Sequence, residues 1–268
     1  MICSDFHLHC SYSPDSDSSM EEMIRAAIGL GLKRMCLTDH QDWDYETDGM
    51  VWYFDTDPYV EDYLKYKEKY KGQIELLLGV EMGLQPHLAE SYREYVQKYP
   101  FDFIIGSSHL AHGKDPYQKN YFEGITEEEG YREYFDSILE NIDAFDGYQV
   151  YGHLDYVVRY GPNRNKYYSY EAYRDVLDTI LKALIDRGLG IEVNTAGYKY
   201  GLGQTNPHPD VLKRYKELGG EILTIGSDAH RPEHIAYSFP LLEELLTGCG
   251  FRYYTVFRNR KPEFIKIS

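Results

Sequence analysis

Asp5-Phe6-His7-Leu8-His9 places three metal-capable side chains at alternate positions near the start of the chain. Alternate residues of a β-strand face one way. The stretch therefore predicts a strand that turns Asp5, His7 and His9 toward one surface and leaves Ile2, Phe6 and Leu8 for packing. A single His-x-His is a modest signal, and its weight comes from what recurs down the chain.

Strand-like and helix-like segments alternate throughout, the pattern of βα units around a mainly parallel sheet. After the first strand, Ser18-Ser19-Met20-Glu21-Glu22 offers overlapping capping boxes for a helix with Met20, Met23, Ile24, Ala27 and Ile28 on its apolar face. Further strands are expected over 34–38, 74–80, 101–105, 148–152, 189–193 and 221–225. Helices are expected over 59–70, 88–98, 169–187 and 211–218, with another behind the capping box Thr126-Glu127-Glu128-Glu129. A last helix from Pro240 and short edge strands over 253–257 and 264–267 close the list. The 41–58 stretch is acidic and aromatic without a clear period, and reads as a long substrate loop. Residues 112–124 read as another loop, basic in part.

A chain of 268 residues has the size of one α/β barrel, so a single domain over 1–268 is expected. The formal charge of −16 argues against a broad nucleic-acid surface, which needs clustered Lys and Arg, but leaves an anionic small molecule open because bound cations dominate the field inside a pocket. No apolar run approaches the length of a membrane span, and Met1 leads directly into a strand-like segment, so a cytoplasmic protein without membrane association is expected. Cys3, Cys10, Cys36 and Cys249 are scattered and suggest neither a thiolate site nor a disulfide framework. Most of the 28 tyrosines are expected to be packing residues, since many fall at helical spacing, as in Tyr59, Tyr63, Tyr66 and Tyr70.

Position carries the functional argument. His7, His9, His40, His109, His153 and His230 each fall at or just past the C-terminal end of an expected parallel strand, as do Asp39, Glu81, Glu192, Asn194 and Asp228. In an α/β barrel those ends share one face, which holds the active site. A lone histidine at a strand end is ordinarily a hydrogen-bonded structural residue, but six of them with Asp15, Glu81 and Asp228 point to metal. Imidazole and carboxylate without thiolate suit Zn, Mn, Fe, Co or Ni. The donors exceed the needs of one ion and suffice for two or three divalent ions if a carboxylate bridges, with Glu81 as the bridge.

The series Asp5-x-His7-x-His9, Thr38-Asp39-His40, Gly79-x-Glu81, Ser108-His109, Gly152-His153-x-Asp155, Glu192-x-Asn194 and Ser227-Asp228-Ala229-His230 resembles the polymerase-and-histidinol-phosphatase (PHP) superfamily, and most closely its stand-alone histidinol-phosphate phosphatases. The resemblance implies a distorted (β/α)7 TIM-like barrel with a trinuclear metal centre. Carried over by motif, it puts His7, His9, Glu81 and Asp228 on a first ion, Glu81, His109 and His153 on a second, and Asp15, His40 and His230 on a third. Asp15 stands where several members have histidine, which implies a third site that is either weaker or selective for a harder metal. Asp5, Asp39 and Asp155 then read either as residues that orient imidazoles or as ordinary capping groups.

The activity so implied is hydrolysis of L-histidinol phosphate in histidine biosynthesis, by attack of a metal-activated hydroxide, with Asp228, Glu81 and His230 as the catalytic residues. Arg159 and Arg164 are expected to clamp phosphate and Asp42 to meet the substrate's amine. The alternatives are a PHP phosphoesterase acting on nucleotides or phosphotyrosine, and a non-catalytic, metal-stabilised PHP module.

Overall fold

The computed structural model describes residues 2–47 and 49–267. Its first half runs β1 (Ser4–Leu8), α1 (Met20–Gly29), β2 (Arg34–Leu37), β3 (His40–Thr47), β4 (Met50–Trp52), α2 (Thr56–Lys69), β5 (Glu75–Gly83), α3 (Ala89–Lys98) and β6 (Phe103–Ser107). The second half continues with α4 (Glu127–Ala144), β7 (Val150–Tyr151), α5 (Arg174–Asp186), β8 (Gly190–Asn194), α6 (Ala196–Lys199), α7 (Pro209–Glu217), β9 (Leu223–Gly226), α8 (Leu242–Gly248), β10 (Tyr253–Arg258) and β11 (Lys261–Lys266).

Seven strands stand side by side in the order β1-β2-β5-β6-β7-β8-β9, each parallel to the last. Leu8 bridges Ala229 in parallel, and the Asp228 and His9 amides donate to the His7 and Ala229 carbonyls at 2.9 Å each, so the last barrel strand returns to the first. The result is the seven-stranded α/β barrel expected from the alternating pattern.

The helices form where their apolar spacing and caps dictate. Ser19 and Glu22 cap α1 reciprocally, as Thr126 and Glu129 cap α4. α5 buries Val176, Leu177, Ile180, Leu181 and Leu184 along one stripe, each contributing about 2 kcal/mol of burial. It starts at Arg174, later than the expected Ser169, because a single 3₁₀ turn over Glu171–Tyr173 precedes it. Among the described residues, no helix is long and apolar enough to cross a membrane.

The largest departure from expectation is the 41–58 stretch, most of which is the antiparallel β3–β4 hairpin rather than a loop. Trp43, Tyr45 and Thr47 alternate with the exposed Asp44 and Glu46, and the pairing shifts register between Asp42 and Glu46, where Asp44 takes a left-handed φ of 55°. The expected edge strands pair with each other as β10–β11, and this second hairpin closes the base of the barrel. Phe257 stacks on Phe103, which meets Phe6 edge-on, and the Thr255 hydroxyl accepts from the Leu223 amide.

Candidate metal centre

Glu81 sits inside β5, directly beside His40 at the start of β3. Its Oε2 lies 3.1 Å from His7 Nε2, 3.5 Å from His9 Nε2 and 3.3 Å from His40 Nδ1. Its Oε1 lies 2.9 Å from His153 Nε2 and 3.3 Å from His109 Nε2, and accepts the Ser107 hydroxyl at 2.7 Å. One carboxylate thus reaches two sets of imidazoles, one with each oxygen. Asp228 Oδ1 adds itself to the first set, 3.8 Å from His7 Nε2 and 3.6 Å from His9 Nε2. Asp15, on the loop between β1 and α1, lies 2.9 Å from His230 Nε2 and 3.8 Å from His40 Nε2.

The far nitrogen of each ring shows how it is aimed. His7 Nδ1 meets Glu192 Oε1 at 2.6 Å, and His109 Nδ1 meets Asp42 Oδ2 at 2.6 Å. His9 Nδ1 lies 3.0 Å from the Ser13 hydroxyl, which donates its own proton to Asp39 Oδ1 and so must accept from the ring. Each of these three imidazoles therefore turns a bare Nε2 lone pair toward carboxylate oxygens. Acceptors facing acceptors in a buried site are costly unless a cation lies between them. The orphaned atoms are the ones such a cation would satisfy: among the described residues, His7 Nε2, His9 Nε2, His40 Nδ1, His230 Nε2 and Glu81 Oε2 have no hydrogen-bond partner. The donor set fits divalent metal.

Positive charge is what the site calls for, from a cation or from protons: burial alone would raise the Glu81 carboxyl, and with His7 and His109 protonated their charge holds it well below the usual carboxylate range. Burial opposes ionisation of Asp228 too, and His7 and Arg159 reverse it. Asp228 also carries a left-handed φ of 53°, a strained state for a residue with a Cβ. It is locked there because its amide is tied to His7 and its carbonyl accepts from Lys199 Nζ at 3.1 Å and His230 Nδ1 at 3.1 Å. Gly226, just before it, cannot carry a side chain, since a Cβ would run into Glu192 and His7.

The sequence-derived site residues separate on geometry. All nine expected ligands, namely His7, His9, Asp15, His40, Glu81, His109, His153, Asp228 and His230, converge on this cluster. Arg159 is buried beside it, donating to Asp228 Oδ2 at 3.1 Å, Asn206 Oδ1 at 2.9 Å and Asn194 Oδ1 at 3.2 Å. Arg164 is elsewhere: it is exposed on its loop and donates to the Tyr200 carbonyl. Asp42, expected to meet a substrate amine, is instead engaged by His109. Asp5 and Asp155 touch no imidazole of the cluster: Asp5 accepts from Ser227 and Ala236, and Asp155 from Asn206 and the His208 amide. Asp39 acts on His9 only through Ser13.

Glu192, expected at a strand end and within the motif series but without an orienting role, and Ser13, not among the expected residues, orient His7 and His9. A glutamate on a strand facing a His-x-His strand was the available signal for Glu192, whereas Ser13 lies in a loop and had none. A cavity of about 340 Å³ opens over the cluster, lined by ligands, Arg159 and an aromatic wall that includes Tyr45, Trp52, Tyr117, Tyr156, Tyr160 and Tyr200. These tyrosines depart from the general packing role, which holds for Tyr59, Tyr92 and Tyr134 in the core.

Comparison with known proteins follows the same lines. The PHP domain model matches residues 5–196. The chain is 33% identical over 248 residues to a protein of Clostridium acetobutylicum named a probable histidinol-phosphatase, covering 92% of this chain and 94% of that one. It is 30% identical over 266 residues to the histidinol-phosphatase of Lactococcus lactis subsp. lactis, covering 98% and 97%. The crystal structure of the L. lactis histidinol phosphate phosphatase complexed with zinc, L-histidinol and phosphate superposes with a TM-score of 0.91 at 29% identity, covering 98% of this chain and 99% of that one.

Proposed function

The chain belongs to the PHP domain family, and from that premise we propose that it is a metal-dependent phosphatase that hydrolyses L-histidinol phosphate to L-histidinol and inorganic phosphate. The observation that carries this reading is the full-length likeness to the L. lactis enzyme, whose crystal structure holds zinc, L-histidinol and phosphate. The aromatic, carboxylate-bearing cavity over the cluster has the size for such a small ester.

His7, His9, Glu81 and Asp228 would hold one divalent ion, Glu81, His109 and His153 a second, and Asp15, His40 and His230 a third. Bound there, such ions polarise phosphoryl oxygens and lower the pKa of water. The remaining work falls to the chain itself. Glu192, Ser13 and Asp42 hold His7, His9 and His109 in the tautomer that leaves Nε2 free. Arg159 is fixed by Asp228, Asn194 and Asn206 and sandwiched by the Tyr156 and Tyr200 rings, 5.3 and 4.9 Å from its guanidinium carbon. Its remaining N–H groups are the phosphate donors. Asp228, whose Oδ1 lies toward the cluster and whose Oδ2 accepts from Arg159 at the cavity, is the carboxylate that moves a proton between water and the leaving alkoxide, while His230, with Nδ1 on the Asp228 carbonyl, serves ion binding.

The same reading takes 1–268 as one catalytic unit, because the C-terminal hairpin is bonded into the barrel base, and the cytoplasm as its compartment, in keeping with its free cysteines. The test is phosphate release from L-histidinol phosphate, beside a nucleotide and phosphotyrosine, by protein stripped with chelator and reloaded with Mn or Zn. Metal-restored preference for L-histidinol phosphate is expected. Metal-dependent activity confined to another ester would replace the substrate, and none at all would leave a metal-stabilised binding module.

A further inference from the structure

Two chains of aromatic rings lead outward from the metal-binding cluster. One runs from His40 to Trp52, with centroids 5.5 Å apart, and on to Tyr45 at 5.3 Å, nearly parallel to Trp52. The other runs from His109 to Tyr156, Tyr160 and Tyr117 at 5.6, 4.9 and 5.4 Å. They end on the same short segment. The Tyr45 hydroxyl donates to Asp115 Oδ2 at 2.5 Å, and the Tyr117 amide donates to Asp115 Oδ1 at 2.8 Å.

Asp115 differs from the other carboxylates that line the cavity. Asp15 faces His230, Asp42 faces His109, Glu81 bridges the imidazoles and Asp228 takes Arg159. Asp115 is only 7% exposed, yet among the described residues no Lys, Arg or His lies within ion-pair distance of it. Its close donors are a neutral hydroxyl and a backbone amide. Burial pushes its carboxyl up from the ordinary range, outweighing the Tyr45 hydroxyl, the Tyr117 amide, the more distant His109, and Gln118. A buried carboxylate on a cavity wall with no cation of its own is short of a positive partner.

We propose that Asp115, held by Tyr45 and Tyr117, seats the cationic nitrogen of the substrate's leaving group and so selects phosphate esters of cationic alcohols. The geometry suits the task. The phosphoryl end belongs at the metal-binding cluster and Arg159, the Trp52 and Tyr45 faces receive a flat or cationic group, and Asp115 stands at their outer end. The proposal rests on the phosphatase reading above for its substrate, but its recognition chemistry can be tested without it.

The test compares wild type with Asp115→Asn and Tyr45→Phe on L-histidinol phosphate and on a matched pair, O-phosphotyramine and para-ethylphenyl phosphate, which differ by the ammonium group. Asp115→Asn is expected to raise KM for both ammonium-bearing esters about tenfold, with kcat changed by less than about twofold and KM for the uncharged ester unmoved. Asp115→Glu should recover part of the loss. Equal changes for charged and uncharged esters, or none, overturn the assignment. Should Asp115→Asn fail to fold, the same KM ratio in Tyr45→Phe decides, with about a threefold shift expected. Calorimetric titration with L-histidinol, with and without zinc, reads the contact apart from turnover, and equal binding to wild type and Asp115→Asn again overturns it. A wild type inactive on L-histidinol phosphate that still shows an Asp115-dependent preference in the matched pair would remove the proposed function and keep this site.

Discussion

Glu81 at the mouth of the barrel and Asp102 at its base are both acidic, both buried and both among strand ends, yet their surroundings differ in kind. Asp102 accepts from the Leu78 amide at 3.1 Å and the Asn259 amide at 2.9 Å, and the Tyr63 hydroxyl approaches at 3.5 Å. Its charge is spent on backbone donors that belong to β5 and the β10–β11 turn. Glu81 has one hydroxyl donor and otherwise faces imidazole nitrogens, most of whose protons point away from it. Burial of a carboxylate therefore does not mark function. An acidic group whose neighbours are acceptors does, because only a cation makes such an arrangement stable.

The sharpest way to break this contrast is Glu81→Gln. Both sets of imidazoles lose their shared charge, so hydrolysis should fall by about a thousandfold or more and bound metal, measured by plasma mass spectrometry, should drop with it. Asp102→Ala should do the opposite, lowering stability in urea unfolding by about 3 kcal/mol as two buried amides lose their acceptor, with metal content per folded protein unchanged. Metal loss in the second variant, or none in the first, would erase the distinction.

Glu192→Gln probes the boundary between the two kinds. It keeps the shape but weakens the hold on His7 Nδ1, so chelator competition should show metal bound about 10- to 100-fold more weakly. The smallest effect belongs to a surface carboxylate. Arg214 holds Asp178 down to about 2, with Nη2 2.7 Å from Oδ2. Because the folded value lies below the unfolded one, the pair's contribution is present above about pH 4 and lost as pH falls toward about 2. Unfolding free energies of wild type and Asp178→Asn from urea titration should differ by less than about 1 kcal/mol at neutral pH and converge in acid.

These contrasts also explain what the sequence displays. Candidate ligands such as His40 and His153 could be expected to meet because each lies beside the end of a strand, and the strand ends of a barrel meet whatever the loops do. The barrel was legible for the same reason, from alternation and caps. Partners were not. Asp42 follows His40 by two residues in an acidic stretch, and nothing local says that it reaches His109, which lies 67 positions on. Asp115 gains its meaning from Tyr45, 70 positions earlier. The β3–β4 hairpin does show a two-residue period, Trp43, Tyr45 and Thr47 alternating with the exposed Asp44 and Glu46, but the stretch is so acidic that it reads as a loop.

The seam between β1 and β9 has a consequence for the birth of the protein. Asp5 takes the Ser227 amide and hydroxyl across 222 positions of sequence, and the strand that bears Asp5 also bears His7 and His9 beside it. A ribosome makes this strand some 222 positions before the β9 end that it bonds, so the candidate ligands His7 and His9 emerge long before Asp228 exists to join them. Closing so long a loop is slow, and the ion-binding cluster forms only with it. A nascent chain halted before Gly226 would carry His7 and His9 as an open pair, so tight metal uptake by this cluster would have to wait until the barrel has shut.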